Sequence, residues 1–491
     1  MDWEHDGITR RSALYHSVGG LALVCSFDFD KRARATRGKT TSAALRSKAS
    51  GPFEPFQRDL PIPAVARPVR SSKKLEEYVF EMKPSNVEIL PGYETPILGY
   101  NGTFPGPTVK ARRGREVQIL QKNRSDRELN VHLHGGVTMP QYDGHPHDAI
   151  PAGDERLYKY PNVAHSATLW YHDHAHGETH LTLFAGLAGF YLLDDPDDKH
   201  FDLPQGDYDV PLMITDRSFN KDGSFRYRFD LDRGFRGDTI LVNGAVAPRM
   251  KVERRLYRFR ILNASNARPY NLKLGNGREM IQIGSDGGLL PAPVKRKNIP
   301  MEPAERVDII VDFRQFGVGS KVILRNDGGE PSTTAVMRFD VVRGKAEEAR
   351  VPKQLREEDE LPAPNAHRSW PLTFQGLAGG SSVWQIAGGG FSEMRIDCRP
   401  RLGTTELWTW RNLSNRTHPM HMHGYLFKVV SVNGEPPHPG NRGWKDTVAV
   451  YPNEEVVVMP YFDYFAGRYV FHCHAAEHGD MNMMGQMEVV A

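Results

Sequence analysis

Four His-x-His pairs constrain this chain more tightly than any other feature of its sequence: His132/His134, His172/His174, His421/His423 and His472/His474. In a β-strand alternate side chains share one face. The two imidazoles of each pair therefore stand roughly 6 to 7 Å apart at their backbones and can reach neighbouring metal ions. One such pair arises by chance on a surface strand; four in a matched arrangement do not. Val131-His132-Leu133-His134-Gly135 precedes Trp170-Tyr171-His172-Asp173-His174 by about forty residues, and Met420-His421-Met422-His423-Gly424 precedes Val470-Phe471-His472-Cys473-His474 by about fifty. The two ends of the chain echo each other, as expected of a duplicated domain.

Eight imidazoles suit borderline-soft transition metals rather than calcium or magnesium, and copper ranks highest in affinity for nitrogen sites. The three cysteines, Cys25, Cys398 and Cys473, are odd in number and too far apart for a disulfide framework. Flanked by His472 and His474, Cys473 reads as a metal thiolate, whereas an isolated cysteine reads as a small buried hydrophobe. The segment from His472 to Met483 adds His478 and Met483 to that thiolate. With His418 upstream, these make the two histidines, one cysteine and weak axial methionine of a blue-copper site. On a strand Cys473 faces away from both of its neighbours, so one short covalent path joins the blue copper to the histidine cluster.

At roughly 100 to 200 residues per domain, a chain of 491 residues suggests three domains. Short β-rich runs such as Glu116–Leu120, Leu187–Leu193, Val210–Ile214, Tyr257–Leu262, Val307–Asp312 and Thr405–Trp410 are bounded by Gly, Pro, Asn and Asp. The class is mainly β, built as sandwiches. Residues 51–204 and 367–491 carry the histidine pairs, residues 205–349 form a middle domain, and the charged, proline-bearing stretch 350–366 is a linker. No histidine occurs from residue 201 to residue 366. A formal net charge of +3 gives no support for nucleic-acid binding. No apolar run is long enough for a transmembrane helix.

Residues 1–50 differ from the rest. Thr9-Arg10-Arg11-Ser12-Ala13-Leu14 precedes a weakly apolar stretch to Cys25 and then a basic Ala/Ser/Thr segment through Lys48. The segment resembles a twin-arginine export signal, which implies a periplasmic or extracellular protein. A disordered tail with a chance arginine pair, on a cytoplasmic or spore-coat protein, is the alternative.

The order and content of the four histidine motifs resemble the multicopper oxidases over residues 75–491, most specifically the bacterial spore-coat laccases. The specific segments are His132–Thr138, Trp170–Ala175, Ile281–Gly288 and Gly443–Thr447. The resemblance implies three cupredoxin-like domains and four copper ions. His418, Cys473 and His478 would bind the type 1 copper with Met483 axial; His132 and His421 would bind type 2 copper. His134, His172, His174, His423, His472 and His474 would hold the type 3 pair, in a cluster between the first and third domains. A small aromatic substrate, a phenol or aromatic amine, would give single electrons through an exposed edge of His418 or His478. Cys473, His472 and His474 would pass them inward, and dioxygen would be reduced to water.

Asp143 matches an acidic position near the cluster in these laccases and is expected to orient water or relay protons, although an Asp before Gly144 also suits a turn. Gly479 departs from the pattern, which often carries an acid there, so Glu477 or Asp480 is expected to supply protons instead. His145, His147, His176 and His180 read as supporting or surface residues, and Met481, Met484 and Met487 as packing. The loop Ser431–Arg442 is expected to border the type 1 site and select the substrate. The competing readings are a metallo-oxidase of Cu(I) or Mn(II), a bilirubin-oxidase-like or o-aminophenol-oxidase-like enzyme, a copper nitrite reductase, and a blue-copper electron carrier or structural copper protein. A carrier needs none of the cluster histidines, and a nitrite reductase lacks the type 3 set.

Overall fold

The computed structural model describes residues 53–344, 349–375 and 384–491. Twofold alternation of apolar side chains builds the sheets. In Glu116–Asn123 and in Glu455–Phe462 every second residue is buried, so each strand gives one face to a core and the other to solvent or a neighbour. The described residues form three cupredoxin-like sandwiches. The twin-arginine segment and Cys25 lie outside them.

The first sandwich pairs a sheet around Leu75–Val87 and Glu116–Asn123 with a four-stranded sheet ordered Gly106–Arg112, Ala188–Asp194, Ala167–His172, His132–His134. Its core contains Tyr78, Phe80, Val117, Ile119, Tyr158, Leu169 and Tyr191. The third repeats this plan: a sheet around Leu407–Asn412 and Glu455–Phe462 faces a four-stranded sheet ordered Thr447–Val450, His418–Met422, Gly467–Cys473, Met484–Val489. Trp370, Trp408, Trp410, Phe471 and Met487 fill its core.

Between them the middle sandwich, a seven-stranded sheet against a five-stranded one, packs Leu212, Phe259, Ile261, Ile309 and Phe339. The strand Ala167–His172 is buried along its whole length because both faces are used. Leu169 and Tyr171 point into the first core, while Trp170 joins Met213 and Leu262 of the middle sandwich. The stretch 350–366 has no helix or strand, yet it is not a free tether. Leu355 is buried beside Leu203, Leu256 and Leu290, and Asp359 accepts the Trp444 indole N–H at 2.5 Å.

Candidate metal centre

Register brings the four histidine pairs together. In the first sandwich His132 lies opposite His172, and in the third His421 lies opposite His472. The two histidine-bearing edges then dock. The His132 ring stacks on His423 at 3.6 Å between centroids, and His134 stacks on His421 at 3.7 Å. Each sandwich contributes four imidazoles, and none of the eight is more than 5% exposed.

Hydrogen bonds orient the rings. His132 Nδ1–H donates to Asp143 O (2.6 Å), His172 Nδ1–H to Asp173 O (2.8 Å), His421 Nδ1–H to Asp446 O (2.8 Å) and His472 Nδ1–H to Cys473 O (3.0 Å). His423 Nδ1–H donates to the Asp143 carboxylate at 2.7 Å. A neutral imidazole that donates from Nδ1 has a lone pair on Nε2. The Nε2 atoms face one another: His132 to His421 at 3.4 Å and His423 to His472 at 3.1 Å. His174 Nε2 adds a third nitrogen 3.1 Å from His472. Lone pairs brought this close repel unless a cation lies among them. His134 Nε2, His172 Nε2 and both ring nitrogens of His474 are buried without any partner. Burial holds these imidazoles below their ordinary protonation range, to about 3 for His172 and His421 and about 4 for His472. All eight are thus in the neutral, ligating form. The residues fit a cluster of metal ions.

Cys473 lies on the opposite face of the same strand, opposite Met420. His418 Nε2–H reaches Ser414 Oγ at 2.8 Å and His478 Nε2–H donates to Asp232 O at 3.2 Å. Each Nδ1 is left to face the Cys473 sulfur, at 3.5 and 3.7 Å. The short helix Ala476–Asp480 carries His478 back to the strand. Two backbone bonds, Cys473 N–H to Met483 O and Met483 N–H to His478 O, close the loop and bury Met483 in the same core. Two imidazoles, a thiolate-forming sulfur and a thioether suit copper.

The exposed imidazole edge expected at His418 or His478 is absent. Both rings are buried, because Trp384 packs 4.4 Å from His478 and 5.0 Å from His418, and the middle sandwich brings the Asp232 carbonyl over His478. The loop Ser431–Arg442 packs elsewhere than expected, its Gly440 carbonyl accepting from Gln282 of the middle sheet.

Asp143 binds His132 and His423, one from each end of the chain, and its Oδ1 is buried with no partner. Burial pushes its carboxyl well above the usual range. Glu477 turns toward the middle sandwich, where its Oε1 accepts from Tyr227 and Asn266. Asp480 accepts from the backbone and ring of His180. His145, His147 and His176 gather around Phe391.

Two further residues reach the cluster, Asp446 and Arg306, and the sequence marks neither as a site residue. Asp446 sits in the Gly443–Thr447 motif. Arg306 has a weaker signal: one of three charges on the strand Arg306–Asp312, in a domain without histidines.

Two multicopper oxidase family profiles match, over residues 81–198 and 368–491. The chain is 38% identical to the laccase of Bacillus subtilis, with 89% of this chain and 99% of that protein aligned. It is 31% identical to the laccase of Pediococcus acidilactici, whose crystal structure superposes with a TM-score of 0.82 and covers 90% of this chain and 96% of that one. McoA of Aquifex aeolicus, a multicopper oxidase, gives the same identity and TM-score over 89% of this chain and all of its own. The converging imidazoles, the histidine-flanked thiol and these similarities have one reading: the chain belongs to the multicopper oxidase family of copper-dependent oxidoreductases.

Proposed function

We propose that the protein is a laccase-like oxidase with four coppers, taking single electrons from phenols or aromatic amines and reducing dioxygen to water. The supporting observation is the placement of Cys473 between two centres, its sulfur facing His418 and His478 while His472 and His474 face the cluster. In this reading His418, Cys473, His478 and axial Met483 hold the type 1 copper, and His132 and His421 the type 2. His134, His172 and His474 hold one type 3 copper; His174, His423 and His472 hold the other, and the close convergence of that second trio supports the division. When bound, the coppers supply the one-electron steps and the site for dioxygen.

The protein's part is to orient and insulate. Carbonyls fix the Nδ1–H side of the rings so that lone pairs point inward, and burial keeps bulk water away from the cluster. Four electrons must be matched by four protons. Asp143, buried and favouring its protonated form, is placed to hold one on Oδ1 while its Oδ2 accepts the His423 Nδ1–H. Glu477 is the proposed reserve acid in place of the one that Gly479 lacks.

Residues 1–50 are proposed to direct export; a reporter fused to them and found only in the cytoplasm would exclude that. The central test is metal analysis with blue and near-ultraviolet absorbance, followed by oxygen uptake with a phenol, an o-aminophenol, bilirubin and Cu(I) side by side. Four coppers per chain and fastest turnover of the phenol are expected. Fastest turnover of Cu(I) would reassign the protein as a metallo-oxidase, and no turnover of any would leave a copper carrier.

A further inference from the structure

We propose that Arg306, from the middle sandwich, is a positioning residue for the type 2 copper, holding both oxygens of Asp446 so that its backbone carbonyl orients the type 2 ligand His421 and its carboxylate faces the neighbouring type 3 ligand His134 instead of binding metal itself. The inference rests on the copper assignment above and extends it to a domain that supplies no ligand.

Three atoms at this corner could hold a cation. The ligand atoms of His134, His421 and Asp446 lie within 4.8 Å of one another, all buried. The carboxylate is already engaged. Arg306 Nη1 donates to Asp446 Oδ1 at 2.7 Å and Nη2 to Oδ2 at 2.5 Å, a fork-on-fork pair. The remaining guanidinium hydrogens reach Thr168 O, Ala304 O and Asp286 O, and Nη1 also lies 3.2 Å from His134 Nδ1, so the guanidinium itself touches a cluster histidine. The fully buried cation thus ties together all three sandwiches, touching the first at Thr168, its own at Ala304 and Asp286, and the third at Asp446.

Held this way, Asp446 still faces the cluster. Its backbone carbonyl accepts His421 Nδ1–H, and its Oδ2 lies 3.4 Å from His134 Nδ1. Thr447 Oγ1 closes the arrangement on Asp446 Oδ1 at 2.9 Å. A lysine in the same place keeps the charge but is a point donor that cannot satisfy two oxygens and three carbonyls at once.

The sequence around the first histidine pair makes room for this contact. Gly135 follows His134 with φ of +80°, and a Cβ there would lie 2.6 Å from both Arg306 Nη2 and Asp446 Oδ2.

The test compares the copper-loaded full chain with Arg306→Lys and Asp446→Asn. Copper per chain, blue absorbance per chain and the type 2 electron paramagnetic resonance signal are measured. Both variants are expected to keep the blue absorbance of wild type while binding type 2 copper roughly 10- to 100-fold more weakly, as for loss of a partner that orients a metal-bound histidine. The resonance signal should weaken or change its hyperfine splitting. An unchanged type 2 signal at full copper content would overturn the proposal. Loss of type 1 and type 2 copper in equal proportion would also overturn it, since that is the mark of a general packing role. Wild type with fewer than four coppers would instead defeat the copper assignment beneath it.

Discussion

Asp143 touches the cluster through two different atoms, its carbonyl on His132 and its carboxylate on His423, so a substitution there can be chosen to separate geometry from proton supply. Asparagine keeps an oxygen able to accept the His423 Nδ1–H but cannot hold a proton. Asp143→Asn is therefore expected to slow dioxygen reduction by about a hundredfold or more, the usual scale for loss of a positioned proton donor. Reduction of the type 1 copper by a phenol should stay unchanged. Rapid-mixing absorbance separates the two steps, and equal slowing of both would remove the proton role. At Cys473 the expectation is sharper. Cys473→Ser removes the thiolate on which blue colour depends, yet leaves His472 and His474 on their own face of the strand. Metal analysis should find three coppers per chain and no blue band; retention of the band would place the blue copper elsewhere.

Among the elements, the histidine-bearing strands were legible because a repeat of two in the sequence is the repeat of a strand; the register that sets His132 opposite His172 was not, since the repeat fixes a face and not a partner. The apolar alternation of Glu116–Asn123 was legible for the same reason. Contacts made only by docking left no local trace. Arg306 and Asp446 are 140 residues apart, and Asp232 reaches His478 across 246 residues, so the sealing of the site around Cys473 could not be read from either segment alone. Gly135 shows how such a contact is nonetheless written into a strand's end. Gly135→Ala is expected to cost about 1 to 3 kcal/mol, from a side chain forced into the left-handed region plus the clash with the Arg306–Asp446 pair. Gly114 is the control. It has φ of +73° with open space where a Cβ would go, so Gly114→Ala carries the backbone cost alone. Thermal unfolding of the two variants should differ, and identical melting temperatures would mean that the Gly135 contact relaxes freely.

For the whole molecule, the cluster is a junction that protons and copper compete to occupy. Four imidazoles come from each outer sandwich, all neutral when folded, so the interface between the ends of the chain is stable only while those rings stay uncharged or metal-bound. Burial depresses His172 and His421 to about 3 and His472 to about 4, from an ordinary value of 6.5. Above about pH 6.5 folded and unfolded chains carry these rings alike, and the stability is intact. As the pH falls below that value the unfolded chain takes up protons that the folded one refuses. Stability then drops by about 1.4 kcal/mol per pH unit for each such ring until the folded value is reached. Buried acids work the other way. Asp173 and Glu302 are raised to about 7 and 8, so over the same range the folded chain holds protons on them that the unfolded chain gives up. Asp463 rises to about 7, and Asp143, Glu305 and Glu477 are raised as well, all chiefly by burial. The eight lowered imidazoles outnumber these acids, so acid should destabilise the copper-free protein. Its melting temperature is expected to fall steeply from pH 6.5 to pH 4, while copper on the Nε2 lone pairs blocks the same protons and flattens the curve. Melting curves of copper-free and copper-loaded protein across that range decide it, and parallel losses in the two forms would show that the histidine cluster does not govern acid stability.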